Sequence, residues 1–306
     1  MIAKKTRAPG KGEVAGVPLT HPDRVLYPEQ GLTKRDLAEF YDRISAWILP
    51  HIVERPLSLL RCPEGRGKAC FFQKHAGTGV PEHLKPVAIV EEKARREYLF
   101  VEDERGLVSL AQMGVLEIHP WGSRVNRLEE PDRMILDLDP GPGVDWSRVV
   151  EGGRRIRSIL DKLRLTSFVK TTGGKGLHVV VPLAPRQPWS VLKEFSRAIA
   201  IEMVKRFPQD YTASLSKADR VGKIFVDYLR NSRGATAVAA YSTRAWAGAP
   251  VSTPLAWSEL GAGLRSDRYT VQNLEKRLGT LKKDPWEGFF KLRQSIPKAL
   301  LEHLGS

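Results

Sequence analysis

Apolar residues recur at helical spacing over Leu37, Phe40, Tyr41, Ile44, Trp47 and Ile48, which predicts an amphipathic helix with that stripe buried. Thr33 stands as its N-cap, Asp36 lies near its start, and Pro50 and Pro56 close it. Beyond it the period shortens to two. Leu57–Arg61, Ala69–Lys74, Val87–Val90 and Tyr98–Glu102 read as strands, a turn at Glu104–Gly106 returns the chain into Leu107–Ala111, and Val115–His119 is another strand. This gives a β-rich module over 14–128, preceded by a mobile basic linker at 1–13. From 129 to 300 the pattern is mixed. A strand at Met134–Asp139 leads to a helix near Trp146–Leu163, a hairpin over 166–182, a long helix near Trp189–Phe207 and a strand at Lys223–Leu229. Gly234–Tyr241 is small and β-like, a short helix is expected near Thr270–Leu278, and a helical Pro285–Ile296 is limited by Pro297. The fold class is therefore α+β, with one domain over 14–300 built from the two modules.

Chemistry-bearing residues concentrate where the second module's strands end. In Met134-Ile135-Leu136-Asp137-Leu138-Asp139-Pro140-Gly141, the period of a strand puts Asp137 and Asp139 on one face, and Pro140-Gly141 leaves them at a loop edge. Two close carboxylates repel unless a cation lies between them, and hard divalent ions with oxygen ligands meet that need. The hairpin turn Thr172-Gly173-Gly174-Lys175-Gly176 follows, with His178 two residues into the outgoing strand. Glycines let backbone N–H groups approach phosphate oxygens, and Lys175 adds a point charge. It is not a Walker A loop, because a strand follows rather than a helix. A third acid, Asp227, lies in Ile224-Phe225-Val226-Asp227-Tyr228-Leu229-Arg230-Asn231, three residues before Arg230. Acids holding metals beside Arg, Lys and His holding a triphosphate is the layout of a palm-type polymerase site.

These three segments together resemble the archaeo-eukaryotic primase superfamily, and within it the polymerase domain of bacterial DNA ligase D. His21-Pro22-Asp23-Arg24-Val25-Leu26-Tyr27-Pro28 and Ile118-His119-Pro120-Trp121-Gly122 are similar to that family too, so the resemblance runs from about Leu19 to about Lys298. It implies a primase-like core with an RRM-like sheet. It also implies a template-directed nucleotidyltransferase that extends DNA 3′ ends, fills gaps and favours ribonucleotides in non-homologous end joining.

On that reading Asp137, Asp139 and Asp227 hold two divalent ions, about 3.5–4 Å apart in such sites. Either Mn²⁺ or Mg²⁺ suits the ligands, and the resemblance favours manganese. Lys175, His178, Arg230 and Arg244 are the expected triphosphate clamp, and Thr172, Gly173 and Gly174 line the sugar-phosphate path. The resemblance places His119 at the nucleotide sugar, where an imidazole can satisfy a 2′-hydroxyl. Phe71 and Phe72 follow a basic loop. Adjacent strand residues face opposite ways, so one can be core while the other, Phe72, is the base-stacking platform; burial of both in the core is the alternative. His21, Arg24 and Lys34 match positions that recognise the 5′-phosphate across a gap, with Lys34 in the first turn of a helix whose N–H groups favour an anion.

Charge sharpens the same picture. The 306 residues carry 49 Lys+Arg against 35 Asp+Glu, a net charge of +14, which points to a polyanionic partner. Hydrophobic content of 42% fits a packed core. No apolar run is long enough for a membrane span, and Met1–Lys11 lacks the apolar stretch of a secretory signal. With only Cys62 and Cys70, no disulfide framework is expected, which suits a reducing cytoplasm, and the resemblance implies nucleoid association there. Their spacing with His75 and His83 matches no zinc pattern. No K-x-D-G motif or phosphoesterase cluster is evident, so ligation is not expected here. The resemblance implies gapped primer-template DNA, nucleoside triphosphates, a Ku protein and a ligase domain as partners. A primer-independent replicative primase and a catalytically silent DNA-end binder are the competing readings. Three acids beside phosphate argue against the silent binder.

Overall fold

The computed structural model describes residues 12–92 and 94–297. Most of the expected basic linker lies outside them, although Glu13 is already paired, in the ladder of β1 (Glu13–Val14) with β2 (Val17–Pro18). A second ladder, β3 (Val25–Tyr27) with β4 (Leu32–Thr33), leads into α1 (Lys34–Arg43). Thr33 and Asp36 form a reciprocal capping box there, as the sequence predicts for the start of this helix. The helix does not continue to Pro50 as one piece. It breaks at Ile44, and α2 (Ser45–Ile52) resumes with Pro50 inside it.

Strands β5 (Leu57–Arg61), β6 (Phe71–Gln73), β7 (Lys85–Val90), β8 (Arg95–Phe100) and β9 (Val115–Pro120) form a five-stranded sheet. The return strand expected at Leu107–Ala111 is instead helix α3 (Glu104–Gln112). Asp103 caps it by accepting the Gly106 N–H at 2.9 Å, and Leu107, Leu110 and Ala111 fall on one buried face at helical spacing. Cys62 and Cys70, not expected to form a disulfide framework, are bonded to each other. The reason is register: Arg61 pairs with Phe71, so the next residues outward face one another.

The second sheet has six strands: β10 (Arg133–Pro140), β11 (Phe168–Thr171), β12 (Leu177–Pro182), β13 (Tyr211–Thr212), β14 (Ile224–Asp227) and β15 (Pro254–Leu255). Their order is β13-β14-β10-β12-β11-β15, antiparallel except for β13 with β14, so the sheet is mixed as expected. Helices α4 (Trp146–Lys162) and α5 (Trp189–Arg206) cover one face. Met134, Leu136, Leu138, Leu177, Val179, Val169 and Val226 point into that core. Alternation sends Ile135, Asp137, Asp139, His178, Lys170 and Asp227 to the other face. There the apolar end, with Ile135, Phe168 and Val180, is covered by Trp286 and Phe289. Pro285–Ile296, expected helical, contributes this cover through turns, and Gly234–Tyr241 forms no strand beyond a bridge of Thr236 to Trp121. Helix α6 (Leu274–Thr280) lies near its expected place. Residues Ala239–Tyr241, Ala249 and Val251 pack into the core of the first module, which links the two sheets across the face that carries the acids. Among the described residues no helix is long and apolar enough to cross a membrane.

Candidate functional site: a carboxylate row under a basic cleft

Register brings the scattered acids together. On β10, Asp137 pairs with Asp227 of β14 on one side and with His178 of β12 on the other, and His178 pairs with Lys170 of β11. Directly opposite residues share a face, so Asp227, Asp137, His178 and Lys170 form one row across four strands. Asp139 lies two residues along β10 on the same face, at the exposed end. Asp137 and Asp227 are buried. The row depends on Gly176: a Cβ there would sit 2.3 Å from the Leu138 carbonyl oxygen of β10, so no larger residue keeps β12 in register.

Asn231 fixes the central strand from below. Its amide oxygen accepts the Ile135 N–H at 2.8 Å and its amide nitrogen donates to the Ile135 carbonyl at 2.7 Å, standing in for a strand neighbour. Asn231→Ala leaves both buried backbone groups unpaired and is expected to lower stability by roughly 1–3 kcal/mol. Urea denaturation followed by tryptophan fluorescence reads this, and an unchanged midpoint contradicts the pinning role.

Arg230, on the short turn after β14, occupies the gap between the acids. Its Nε lies 3.2 Å from both Asp137 Oδ2 and Asp227 Oδ2. His178 Nε2 is 3.4 Å from Asp137 Oδ1, and Arg220 is 3.8 Å from Asp139. Burial opposes the charge on Asp137, but His178 and Arg230 hold its carboxyl well below the usual range. Asp139 and Asp227 go the other way, pushed up by burial and by the charge of Asp137. Burial and Lys170 push His178 down to about 4 against the pull of Asp137, so the imidazole is neutral at pH 7.

A cleft of about 240 Å³ opens above the row. It is lined by His119, Asp137, Asp139, Thr172, Gly174, Lys175, His178, Arg230 and Arg244, all expected from the sequence, and by Trp246, which was not. Gly173 lies just beneath, with φ +71° and no room for a Cβ beside Arg244 Cγ at 2.9 Å. Thr172 builds the turn itself: its hydroxyl accepts the Gly176 N–H at 3.1 Å and the Gly174 N–H at 3.3 Å. Lys175 stands exposed at the tip. Both Phe71 and Phe72 are exposed, at 48% and 57%, which corrects the expectation that one is core; β6 is an edge strand with neither face covered. Phe72 meets His119 edge-on, with centroids 5.5 Å apart, at the rim of the cleft.

Besides Trp246, two further residues at the site were missed. Glu117 is buried, lies 3.0 Å from Arg244 Nε and 2.9 Å from His119 Nε2, and accepts the Ala245 N–H at 2.9 Å. It thus aims two of the cleft's nitrogenous side chains. An acid inside the apolar run Val115-Leu116-Glu117-Ile118, two residues from His119, was the available signal. Lys170 is buried at the far end of the row and donates to Ser252 Oγ at 2.6 Å. The proposed 5′-phosphate group gathers around the start of α1. The buried Lys34 ammonium donates to the Thr20 carbonyl at 2.8 Å with no carboxylate partner among the described residues, Arg24 pairs with Glu64 at 2.7 Å, and His21 is exposed with φ +52°.

Among the described residues no three His, Cys, Asp or Glu side chains converge into a metal cage as they stand, because Asp137 and Asp227 close on Arg230 instead. The donor chemistry nevertheless fits a divalent cation. Three oxygen-bearing acids share a face, two of them are raised by burial and by the charge of Asp137, and His178 Nδ1 is buried without a partner.

Comparison with known proteins assigns this architecture. Residues 33–286 match the family model described as LigD, primase-polymerase domain. The chain is 40% identical over 308 aligned residues to the multifunctional non-homologous end joining protein LigD of Pseudomonas aeruginosa, covering 99% of this chain and 36% of that protein. It is 27% identical to the bifunctional non-homologous end joining protein LigD of Bacillus subtilis, covering 92% of this chain and 45% of that protein. It therefore spans less than half the length of these relatives. The solved polymerase domain from Mycobacterium tuberculosis ligase D, in complex with DNA, superposes with a TM-score of 0.84 at 29% identity, over 91% of this chain and 99% of that one. The chain belongs to the LigD primase-polymerase domain family and is a nucleotidyltransferase.

Proposed function

We propose that this chain extends DNA 3′ ends and fills gaps during end joining, with ribonucleotides preferred, at a two-cation site on Asp137, Asp139 and Asp227. The observation that carries this reading is the row of Asp227, Asp137 and His178 on one sheet face under a cleft of Lys175, Arg230 and Arg244. Divalent cations held there would ease deprotonation of a primer 3′-hydroxyl and offset charge on the triphosphate. The chain's own side chains do the rest. Arg230 leaves the carboxylates and turns to the triphosphate, Lys175 and Arg244 bind the remaining phosphate oxygens, and neutral His178, its Nε2–H directed at Asp137, holds that acid in place and presents the Nδ1 lone pair. His119, aimed by Glu117 beside Phe72, meets the ribose. Manganese is the proposed ion, and gapped primer-template DNA and nucleoside triphosphates the proposed substrates. A ligase domain and a DNA-end-bridging Ku protein are the proposed partners, and the net charge of +14 supports DNA as the common ligand.

The test is extension of a labelled primer on a gapped duplex with Mn²⁺, using ribo- or deoxyribonucleotides. Faster ribonucleotide addition is expected from the intact chain; equal rates, or a deoxyribonucleotide preference, remove the assignment of His119 to the 2′-hydroxyl. Lys34→Ala is expected to slow filling of gaps bearing a 5′-phosphate about tenfold while sparing gaps without one. Equal loss on both substrates moves phosphate recognition away from α1.

A further inference from the structure

A second basic cavity, of about 470 Å³, opens at the opposite end of the six-stranded sheet. Arg133, the first residue of β10, and Pro182, the last of β12, are paired at its floor. Asp139 lies six residues further along β10 than Arg133, or roughly 20 Å at strand spacing. The cavity is thus distinct from the carboxylate cleft and shares no lining residue with it.

Its charge is not balanced from within. Arg55, Arg124 and Arg133 all reach the single carboxylate of Asp132, Arg124 at 3.7 Å and Arg133 at 3.2 Å. Glu54 takes a second contact from Arg124, and Glu130 pairs with Arg127. Arg186 and Arg293, both exposed on the cavity wall, have no carboxylate partner among the described residues. Five guanidinium groups therefore line the cavity, and with the buried Arg55 on Asp132 the six have three carboxylates among them. Burial and the neighbouring Arg55 push Arg133 down to about 9, the response of a cation lacking enough anion. Beside the arginines stands Phe290, 40% exposed and held edge-on by Phe289 at 5.0 Å.

An exposed ring next to unpaired guanidinium groups combines the two elements that hold a single strand without reading its sequence: stacking and phosphate contact. An acidic peptide would use the arginines but leave the ring without purpose. We propose that this cavity is a second nucleic-acid site that takes a nucleotide of an unpaired strand, its phosphate on Arg186 and Arg293 and its base against Phe290. A volume of a few hundred Å³ suits one such unit. The site would let the chain hold a single-stranded tail while a paired end occupies the carboxylate cleft.

The test is binding of a fluorescent twelve-nucleotide thymidine strand in EDTA, so that it does not depend on catalysis or on a metal. The same strand carrying 5-iodouracil is photocrosslinked and the modified peptide mapped. Crosslinks at Phe289–Arg293 are expected. An Arg186→Ala, Arg293→Ala double variant is expected to bind about tenfold more weakly, with the slope of log K against log salt smaller by about 1.4. Both residues are exposed, so the fold is retained, and extension of a primer on a template without a tail is unchanged. Equal affinity in the variant, with crosslinks only in the cleft at Trp246 or His119, overturns the proposal. So does a polyglutamate peptide whose binding is lost in the variant while strand affinity stays the same, because that outcome makes the cavity a peptide site.

Discussion

Asp137→Asn is expected to reduce single-turnover nucleotide addition by roughly 10³-fold, about 4 kcal/mol of transition-state stabilisation, while leaving the protein folded and DNA binding close to normal. Asp137 is the one acid paired on both sides, to Asp227 and His178, and it alone among the three is held well below the usual carboxylate range. It therefore supplies the permanent negative charge around which a cation would gather. The amide keeps the shape and can still hydrogen-bond Arg230 and His178, and Asp227 retains Arg230 at 3.2 Å, so little stability is lost. A circular dichroism melt beside the kinetic assay separates the two effects. A large fall in melting temperature would assign Asp137 to the fold rather than to the chemistry.

Glu117→Ala is expected to act in the opposite proportion. Removing the carboxylate strands Arg244, His119 and the Ala245 N–H together in a buried place, with an expected loss of about 3–5 kcal/mol and a fall in melting temperature on the order of 10 °C. Nucleotide KM should rise more than kcat falls, because Arg244 and His119 lose their aim while the acids stay in register. The pH dependence has a definite sign. Burial would raise Glu117, but His119 and Arg244 bring it down to about 2. A depressed carboxyl contributes stability that is complete above its unfolded value near 4.5 and is lost as pH falls toward 2. His178, down at about 4, adds a loss that begins higher, as pH falls from 6.5. Glu117→Gln should flatten the lower part of that acid limb and leave the upper part. An unaltered limb between pH 4.5 and 2 would show that Glu117 is not tightly paired.

Particular residues show what the chain made legible. The period-2 run to Asp137 and Asp139 and the glycine turn before His178 could be read because both are local, and the structure places them on the expected strands. That Asp227 lies directly opposite Asp137 could not, since register between segments 90 residues apart depends on packing such as Gly176 against Leu138. Helix α3 was misread because Leu107-Val108 and Leu110-Ala111 suit either period when taken alone; the deciding signal was the cap at Asp103. Phe71 was assigned to the core by alternation, a rule that fails on an edge strand open on both faces. Glu117 and Lys170 carry no motif, and their importance comes from what the fold puts beside them. Arg230, expected to bind phosphate, has its Nε 3.2 Å from both Asp137 and Asp227, a contact that the spacing of its motif did not announce.

That position of Arg230 makes the cation site directly testable. Mn²⁺ binding, followed by electron paramagnetic resonance of the unbound ion, should be measured for the intact chain, Asp137→Asn and Arg230→Gln, with no nucleotide present. The intact chain should bind Mn²⁺, Asp137→Asn should bind at least about tenfold more weakly, and Arg230→Gln should bind more tightly because the competing guanidinium is gone. Equal Mn²⁺ affinity in all three proteins would contradict a cation site on the Asp137, Asp139 and Asp227 face.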